Sequence, residues 1–274
     1  LFLFTTGDAV PVGTLAREAE AAGFESIWVP EHTHMPVDHS KAPIGGGDPP
    51  RSYSRLLDPL MALTAAAAQT SRLRLGTAVT LTAAHDPIVL AKQIATVDHL
   101  SGGRLILGVG SGWNAPELAN HGVEFDSRWR RAREHLEAMK AIWTQEEASF
   151  AGEWVRFERI WSWPKPVQRP DPKVLFGTLG PSKLVVRYAD GWLPLSLAHP
   201  GKLAEKVAEL RGLAADAGRD PDSLDVTAMC LEQVPPDRLA ELFEAGATRV
   251  VVRPPVDSLD RYRDYLARYA SVVA

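Results

Sequence analysis

Cysteine is all but missing from this chain. Cys230 stands alone among 274 residues, so no disulfide closes within the chain and no metal site is built from thiolates. Long apolar runs are missing too; none approaches the ~20 residues needed to span a bilayer. The opening Leu1-Phe2-Leu3-Phe4-Thr5 is too short for the apolar core of a secretion signal, lacks a basic flank, and reads as a strand. Nor is there an excess of positive charge. A net charge of −4 argues against nucleic acid or an anionic membrane as the main partner. These absences predict a cytoplasmic protein. What is present, 45% hydrophobic and 23% charged residues, is ordinary globular composition.

Strand and helix patterns alternate along the whole chain. Strands are expected at Leu1–Thr5, Ser26–Pro30, Leu73–Leu81, Leu105–Gly110, Val174–Gly177, Gly191–Leu195, Leu224–Ala228 and Arg249–Arg253. Helices fall between and after them, two opened by Asp-Pro pairs (Asp58-Pro59, Asp86-Pro87) that combine a cap with proline in the first turn. Eight such units in this length predict a single-domain (β/α)₈ barrel of parallel strands. Two segments, 30–57 and 145–172, are too long for simple connections. Both are expected over the C-terminal face of the barrel, where barrel enzymes build their sites.

Three chemistries are disfavoured. Gly108-Val109-Gly110 follows a strand as in a dinucleotide loop, but the third glycine of that fingerprint would fall at Trp113, and Pro116 and Asn120 predict an irregular segment beyond it. No G-x-S-x-G elbow activates a serine. Glu31, His32, His34 and His39 look like metal ligands, yet the other strand ends offer Thr, Ser, Gly, Trp and Leu, so no metal site is expected. His34 and His39 then read as loop histidines, and Asp98, His99 and His121 as structural.

His32 remains the candidate proton donor, since imidazole titrates near neutrality. Gly177-Thr178-Leu179-Gly180-Pro181-Ser182 runs from a strand into a helix start, which suits either a phosphate cradle or a plain helix cap. A face of hydroxyls, glycines and aromatics points to an organic cofactor that carries the difficult chemistry.

The motifs Trp28-Val29-Pro30-Glu31-His32, Leu75-Gly76-Thr77, Leu100-Ser101-Gly102-Gly103-Arg104, Leu107 through Trp113, Trp163-Pro164-Lys165-Pro166 and Ala189-Asp190-Gly191-Trp192 occur in order over nearly the whole chain. In them the sequence resembles the bacterial luciferase-like monooxygenase superfamily, and within it the deazaflavin (F420)-dependent oxidoreductases of actinobacteria. The resemblance implies a commonly dimeric barrel that binds F420 or FMN at its C-terminal end. It implies that Glu31 and His32 lie beside the ring and that Thr77-Ala78 form a bulge with a non-prolyl cis peptide behind it. Thr80 would bond the cofactor, Ser111 and Gly112 would touch the ring or ribityl chain, and Gly180, Pro181 and Ser182 would hold the phosphate. Sugar-phosphate dehydrogenases of that branch carry an acid/base glutamate where this chain has Trp113. Trp113 is therefore expected to shape a substrate pocket with Trp154, Trp161 and Trp163, although those three equally suit an anchor for the 145–172 insertion.

The leading expectation is hydride transfer between reduced F420 and a small organic substrate, with His32 orienting the ring or supplying a proton. The alternatives are a monooxygenase using oxygen and reduced FMN from a partner flavin reductase, and a cofactor-binding barrel without turnover. An F420 reductase is a further conceivable partner.

Overall fold

The computed structural model describes residues 1–38 and 50–273. In chain order its elements are α1 (Val12–Ala21), β1 (Ser26–Val29), α2 (Pro59–Ala67), β2 (Arg74–Thr77), β3 (Thr80–Leu81), α3 (Pro87–Ser101), β4 (Leu105–Gly110), α4 (Ala115–Asn120), α5 (Arg128–Thr144), β5 (Ala148–Ala151) and β6 (Arg156–Ile160). They continue with β7 (Lys173–Phe176), α6 (Lys183–Tyr188), β8 (Gly191–Trp192), α7 (Pro200–Asp216), β9 (Asp225–Met229), α8 (Leu239–Glu244), β10 (Arg249–Val251) and α9 (Leu259–Val273). Seven strands pair in parallel in the order β1-β2-β4-β7-β8-β9-β10.

The first three residues close this sheet. Phe2 N–H donates to the Val252 carbonyl and Leu3 N–H to the Trp28 carbonyl, each at 2.8 Å, so the chain start lies between β10 and β1. With this eighth segment the alternation read from the sequence becomes a (β/α)₈ barrel. No helix among the described residues is long and apolar enough to cross a membrane.

The barrel interior is packed solid. Phe2, Trp28, Ile106, Leu175, Leu193, Met229 and Val251, one from each of seven staves, form a buried inner cluster. The eighth stave contributes Ala78 to this cluster and keeps glycine at Gly76, because a Cβ there would lie 2.2 Å from the Trp28 ring. Trp28 therefore fills the space that Gly76 leaves, a glycine kept for close approach. The larger core lies outside the strands, where Leu75, Leu105, Leu107 and Val174 meet the apolar faces of the helices.

Local chemistry sets the helix ends as the sequence predicts. Asp58 accepts from Met61 N–H, and Asp86 from Ile88 and Val89 N–H, each at 2.9 Å. Gly102 ends α3 in the left-handed region at φ 69°. Arg104 then clamps the bottom of the barrel, donating to the carbonyls of Ala67, Thr70, Leu73 and Ser101. Asp225 at the start of β9 pairs with Lys173 at 2.7 Å and Arg249 at 3.2 Å, tying three strand starts together.

Three expectations change. The strand expected over 73–81 is broken: Ala78–Val79 is a cis peptide, and β2 and β3 lie on either side of it. The segment after Gly112 is not irregular but forms α4, since Asn114 caps it and Pro116 stands in its first turn, where no N–H partner is required. The 145–172 insertion is only partly over the C-terminal face. β5 and β6 form an antiparallel hairpin whose turn is held by Glu134 of α5, accepting from Glu153, Trp154 and Val155 N–H at 2.7–2.9 Å. The hairpin tip reaches the rim beside His85 and Asp86, and the rest returns along the outside of α3 and α5.

Candidate functional site

The C-terminal ends of β1, β3, β4 and β7 bring the predicted residues to one mouth. Just past β1, His32 is half-buried, and its Nδ1 lies 2.7 Å from Oε2 of Glu117 on α4. The other Glu117 oxygen accepts Thr33 N–H at 3.1 Å, and the carboxylate is 1% exposed. Glu117 thus holds the imidazole from one side, fixing Nδ1 as the donor toward the carboxylate and leaving Nε2 for chemistry. Tyr53 stacks on the His32 ring at 5.0 Å and Trp113 meets it edge-on at 5.4 Å. Phe4 stacks in turn on Tyr53 at 5.6 Å.

Neither Glu117 nor Tyr53 is among the residues the motifs single out. For Glu117 a signal existed: Asn114-Ala115-Pro116-Glu117 is a cap, a first-turn proline and an acid at the third helical position. Tyr53 lies in an irregular stretch with no periodicity, so nothing local marks it.

The floor of the mouth is the turn around the cis peptide. Thr77 Oγ1 donates to the Gly108 carbonyl and accepts Gly108 N–H, both at 3.0 Å, and it also accepts from Thr80 Oγ1 at 3.0 Å. Thr77 is therefore engaged with β4, whereas Thr80 still has a free acceptor. Ala78 belongs to the inner barrel cluster. A Cβ on Gly108 would lie 2.0 Å from the Thr77 carbonyl, and Val79 occupies the Cβ positions of Gly110 and Gly177 at 2.2 and 2.5 Å. Those glycines make room for the chain's own turn. Ser111 is 5% exposed, and its hydroxyl has no hydrogen-bond partner among the described residues. Gly112 takes φ 81°, redirecting the chain into Trp113.

Glu31 is committed elsewhere. Its carboxylate accepts Leu81 N–H at 2.7 Å and meets His85 Nε2 at 2.5 Å. Burial opposes charge on His85, but the Glu31 hydrogen bond and the nearby carboxylates of Glu31 and Asp58 outweigh it and raise its pKa. Glu31 thus pins the strand end beneath His32 rather than standing free.

On the far side Thr178 Oγ1 donates to the Gly180 carbonyl at 2.7 Å, and Trp192 Nε1 donates to the Thr178 carbonyl at 3.2 Å. Ser182 caps α6, accepting Val185 N–H at 3.4 Å. A Cβ on Gly180 would meet nothing within 4 Å, so the turn at Gly180 and Pro181 is open, and the N–H groups of Lys183 and Leu184 at the start of α6 have no partner among the described residues. Since α6 has six residues, its dipole adds little and the backbone donors would carry the binding.

Trp161 and Trp163, expected to line a substrate pocket, do not reach this mouth. The Trp163 carbonyl receives Lys92 Nζ from mid-α3, Lys165 Nζ donates to the Ile142 and Gln145 carbonyls at the end of α5, and Val167 N–H donates to Asp98 near the end of α3. Helices run opposite to strands in this fold, so those helix ends lie at the opposite end of the barrel. Both indoles are exposed on its outer wall, 73% and 56%. The same contacts make Asp98 the anchor of the returning segment, the structural role expected of it. His121 is displaced from that expectation: its Nε2 lies 2.7 Å from Thr33 Oγ1 at the mouth. His34 bonds Asn120 and Thr33 there, while His39 lies outside the described residues. Among the described residues no three His, Cys, Asp or Glu side chains converge as metal ligands.

This geometry has relatives. An uncharacterised protein of Mycobacterium tuberculosis is 46% identical over all of this chain and 98% of its own length. An F420-dependent glucose-6-phosphate dehydrogenase of Nakamurella multipartita is 33% identical over 77% of the chain and 60% of its own. Among solved structures, the F420-dependent tetrahydromethanopterin reductase of Methanopyrus kandleri superposes with TM-score 0.73 at 20% identity, covering 100% of this chain and 98% of that one. The monooxygenase RslO1 of Streptomyces bottropensis superposes with TM-score 0.78 at 20% identity, covering 95% and 91%. The luciferase-like monooxygenase model matches residues 5–267. That match over nearly the full length places this chain in the luciferase-like monooxygenase family.

Proposed function

We propose that the protein is an F420-dependent oxidoreductase that exchanges a hydride between the reduced deazaflavin and a small organic substrate. The observation that carries this reading is His32 held by Glu117 and walled by Tyr53 and Trp113 beside the floor at Thr80 and Ser111. The residues suit a flat, fused-ring cofactor: Ser111 offers an unpartnered, nearly buried hydroxyl, and Gly180 to Ser182 offer open backbone donors for its phosphate. When bound, the reduced cofactor supplies the hydride. The protein's own task is to orient and to move a proton. His32 Nε2, left free by the Glu117 contact, delivers or accepts the substrate proton, and Tyr53 and Trp113 exclude water around it.

F420 is favoured over FMN by the extent of the matches. The F420-dependent dehydrogenase relative aligns over 77% of the chain, whereas an FMNH2-dependent dimethylsulfone monooxygenase of Pseudomonas putida aligns over 33%, at 44% identity. Fluorescence titration of the purified chain with each cofactor tests the choice: tight F420 binding is expected, and tight binding of FMN alone would replace this reading with the monooxygenase.

We also propose a homodimer, paired through the exposed apolar strip of Val89, Leu100, Trp161, Trp163 and Val167 on and beside α3. Light scattering of Trp161→Asp against the unaltered chain tests it, a monomer being expected of the variant.

A further inference from the structure

A second concavity opens at the C-terminal ends of the last two barrel strands, β9 and β10. It has a volume of about 720 Å³ and is walled by Leu231, Pro254 and Pro255 on one side and the first turns of α9 on the other. Arg253, Arg261 and Arg268 line it against a single lining carboxylate, Asp264. Arg261 is paired with Asp257 at 2.5 Å, but neither Arg253 nor Arg268 makes an ion pair among the described residues. Each instead lies over an aromatic ring: Arg253 Cζ is 4.6 Å from the Phe4 centroid and Arg268 Cζ 5.2 Å from that of Tyr265. Packing of this kind orients a guanidinium through its face and leaves its N–H donors unspent. Gln233 Nε2 donates to the Arg253 carbonyl at 3.2 Å and steadies that backbone.

We propose that this cavity binds the phosphate or carboxylate group of an organic ligand. Two guanidinium forks without an ion pair among the described residues match the paired oxygens that either group offers, and the leucine and proline wall accepts an apolar portion beside it. Barrel loops after the seventh and eighth strands are a frequent phosphate position, and β9 and β10 are those strands when the chain start counts as the first. The cavity is also joined to the mouth. Arg253 lies on Phe4, Phe4 on Tyr53 and Tyr53 on His32, so three successive ring contacts lead from the arginine to the imidazole. Since the turn at Gly180 to Ser182 after β7 suits a cofactor phosphate, a second anion position serves a second molecule: the one that reacts beside His32. That last step rests on the function proposed above; anion binding in the cavity does not.

Calorimetric titration of the cofactor-free chain at low salt, with phenyl phosphate, benzoate and neutral phenol, tests the site. One equivalent of phenyl phosphate or benzoate is expected to bind, and the tighter of the two identifies the group; phenol is not expected to bind. Arg253→Gln and Arg268→Gln should each weaken binding about tenfold, the effect of one lost charge-assisted contact. Arg263→Gln should leave it unchanged, because Arg263 on the same helix is already paired with Glu18. Absence of binding by either anion would overturn the proposal. So would binding that survives both arginine variants, or that is lost on Ser182→Ala. Failure of F420 to bind would remove the hydride-transfer reading and leave this result standing.

Discussion

Glu117 reaches His32 from 85 residues further along the chain and places a carboxylate 2.7 Å from its Nδ1. An acid thus stands beside the imidazole that Trp113 meets edge-on. Trp113 meets one edge of the ring at 5.4 Å, and the carboxylate comes from the first turn of α4 that follows.

Glu117→Gln should lower kcat about 100-fold, the scale of losing correctly oriented acid–base catalysis. Adding it to His32→Ala should cost little more, because the two act as one unit. Steady-state rates and their pH profiles for the single and double variants are the measurement. A fully active Glu117→Gln, or strictly multiplicative losses, would remove the pair from the mechanism.

Two glycines in adjoining motifs should behave oppositely. Gly110→Ala drives a methyl to 2.2 Å from Val79 and should destabilise the fold by roughly 1–3 kcal/mol, the usual cost of overpacking. Gly180→Ala meets nothing within 4 Å and should leave the melting temperature unchanged while weakening cofactor affinity. Thermal unfolding and cofactor titration of both variants separate packing from binding.

The pair teaches why parts of the site were readable. Alternation of strand and helix, the Asp-Pro caps and the strand-end position of His32 are local patterns, so the barrel and its mouth follow from the sequence. What Gly108, Gly110 and Gly177 make room for is not local: Thr77 ends β2 and Val79 lies in the turn between β2 and β3, and the pairing of both strands with β4 brings them together. Tyr53 is invisible for the same reason, and Trp161 and Trp163 mislead because the insertion turns back beyond its hairpin to the opposite end of the barrel.

Their placement predicts a dissociation of roles. Trp161→Ala and Trp163→Ala should leave kcat, KM and cofactor affinity as they are, whereas Trp113→Ala should raise the substrate KM by removing the wall at 5.4 Å from His32. A rate loss in the Trp163 variant, measured at a concentration that preserves assembly, would contradict this geometry.

His85 makes stability depend on pH in a stated direction. Its pKa is raised in the folded state from the ordinary 6.5, so the Glu31–His85 pair stabilises fully below that value and loses its effect as pH rises through the raised one. The melting-temperature gap between the unaltered chain and His85→Gln should therefore be wide near pH 6 and narrow toward alkaline pH. A gap that widens instead would refute the coupling.

Asp225 works the other way. Despite the cost of its burial, Arg249 and Lys173 lower its pKa from 3.8 to about 2. Its contribution, about 2 kcal/mol for a shift of this size, is complete above the ordinary value and lost as pH falls toward 2. Asp225→Asn should remove stability at neutral pH and flatten the acid limb of the unfolding curve, which pH-dependent denaturant titrations would detect.

The Trp28 indole lying where Gly76 has no side chain leaves no passage along the barrel axis. Traffic through such a vessel has one door. A molecule resting on the floor near Thr80 and Ser111 can depart only after anything lodged above it has gone, so release follows the reverse of the order of entry. With two reactants at this mouth, kinetics should be ordered, and the dead-end complex formed when the upper molecule arrives first should appear as substrate inhibition.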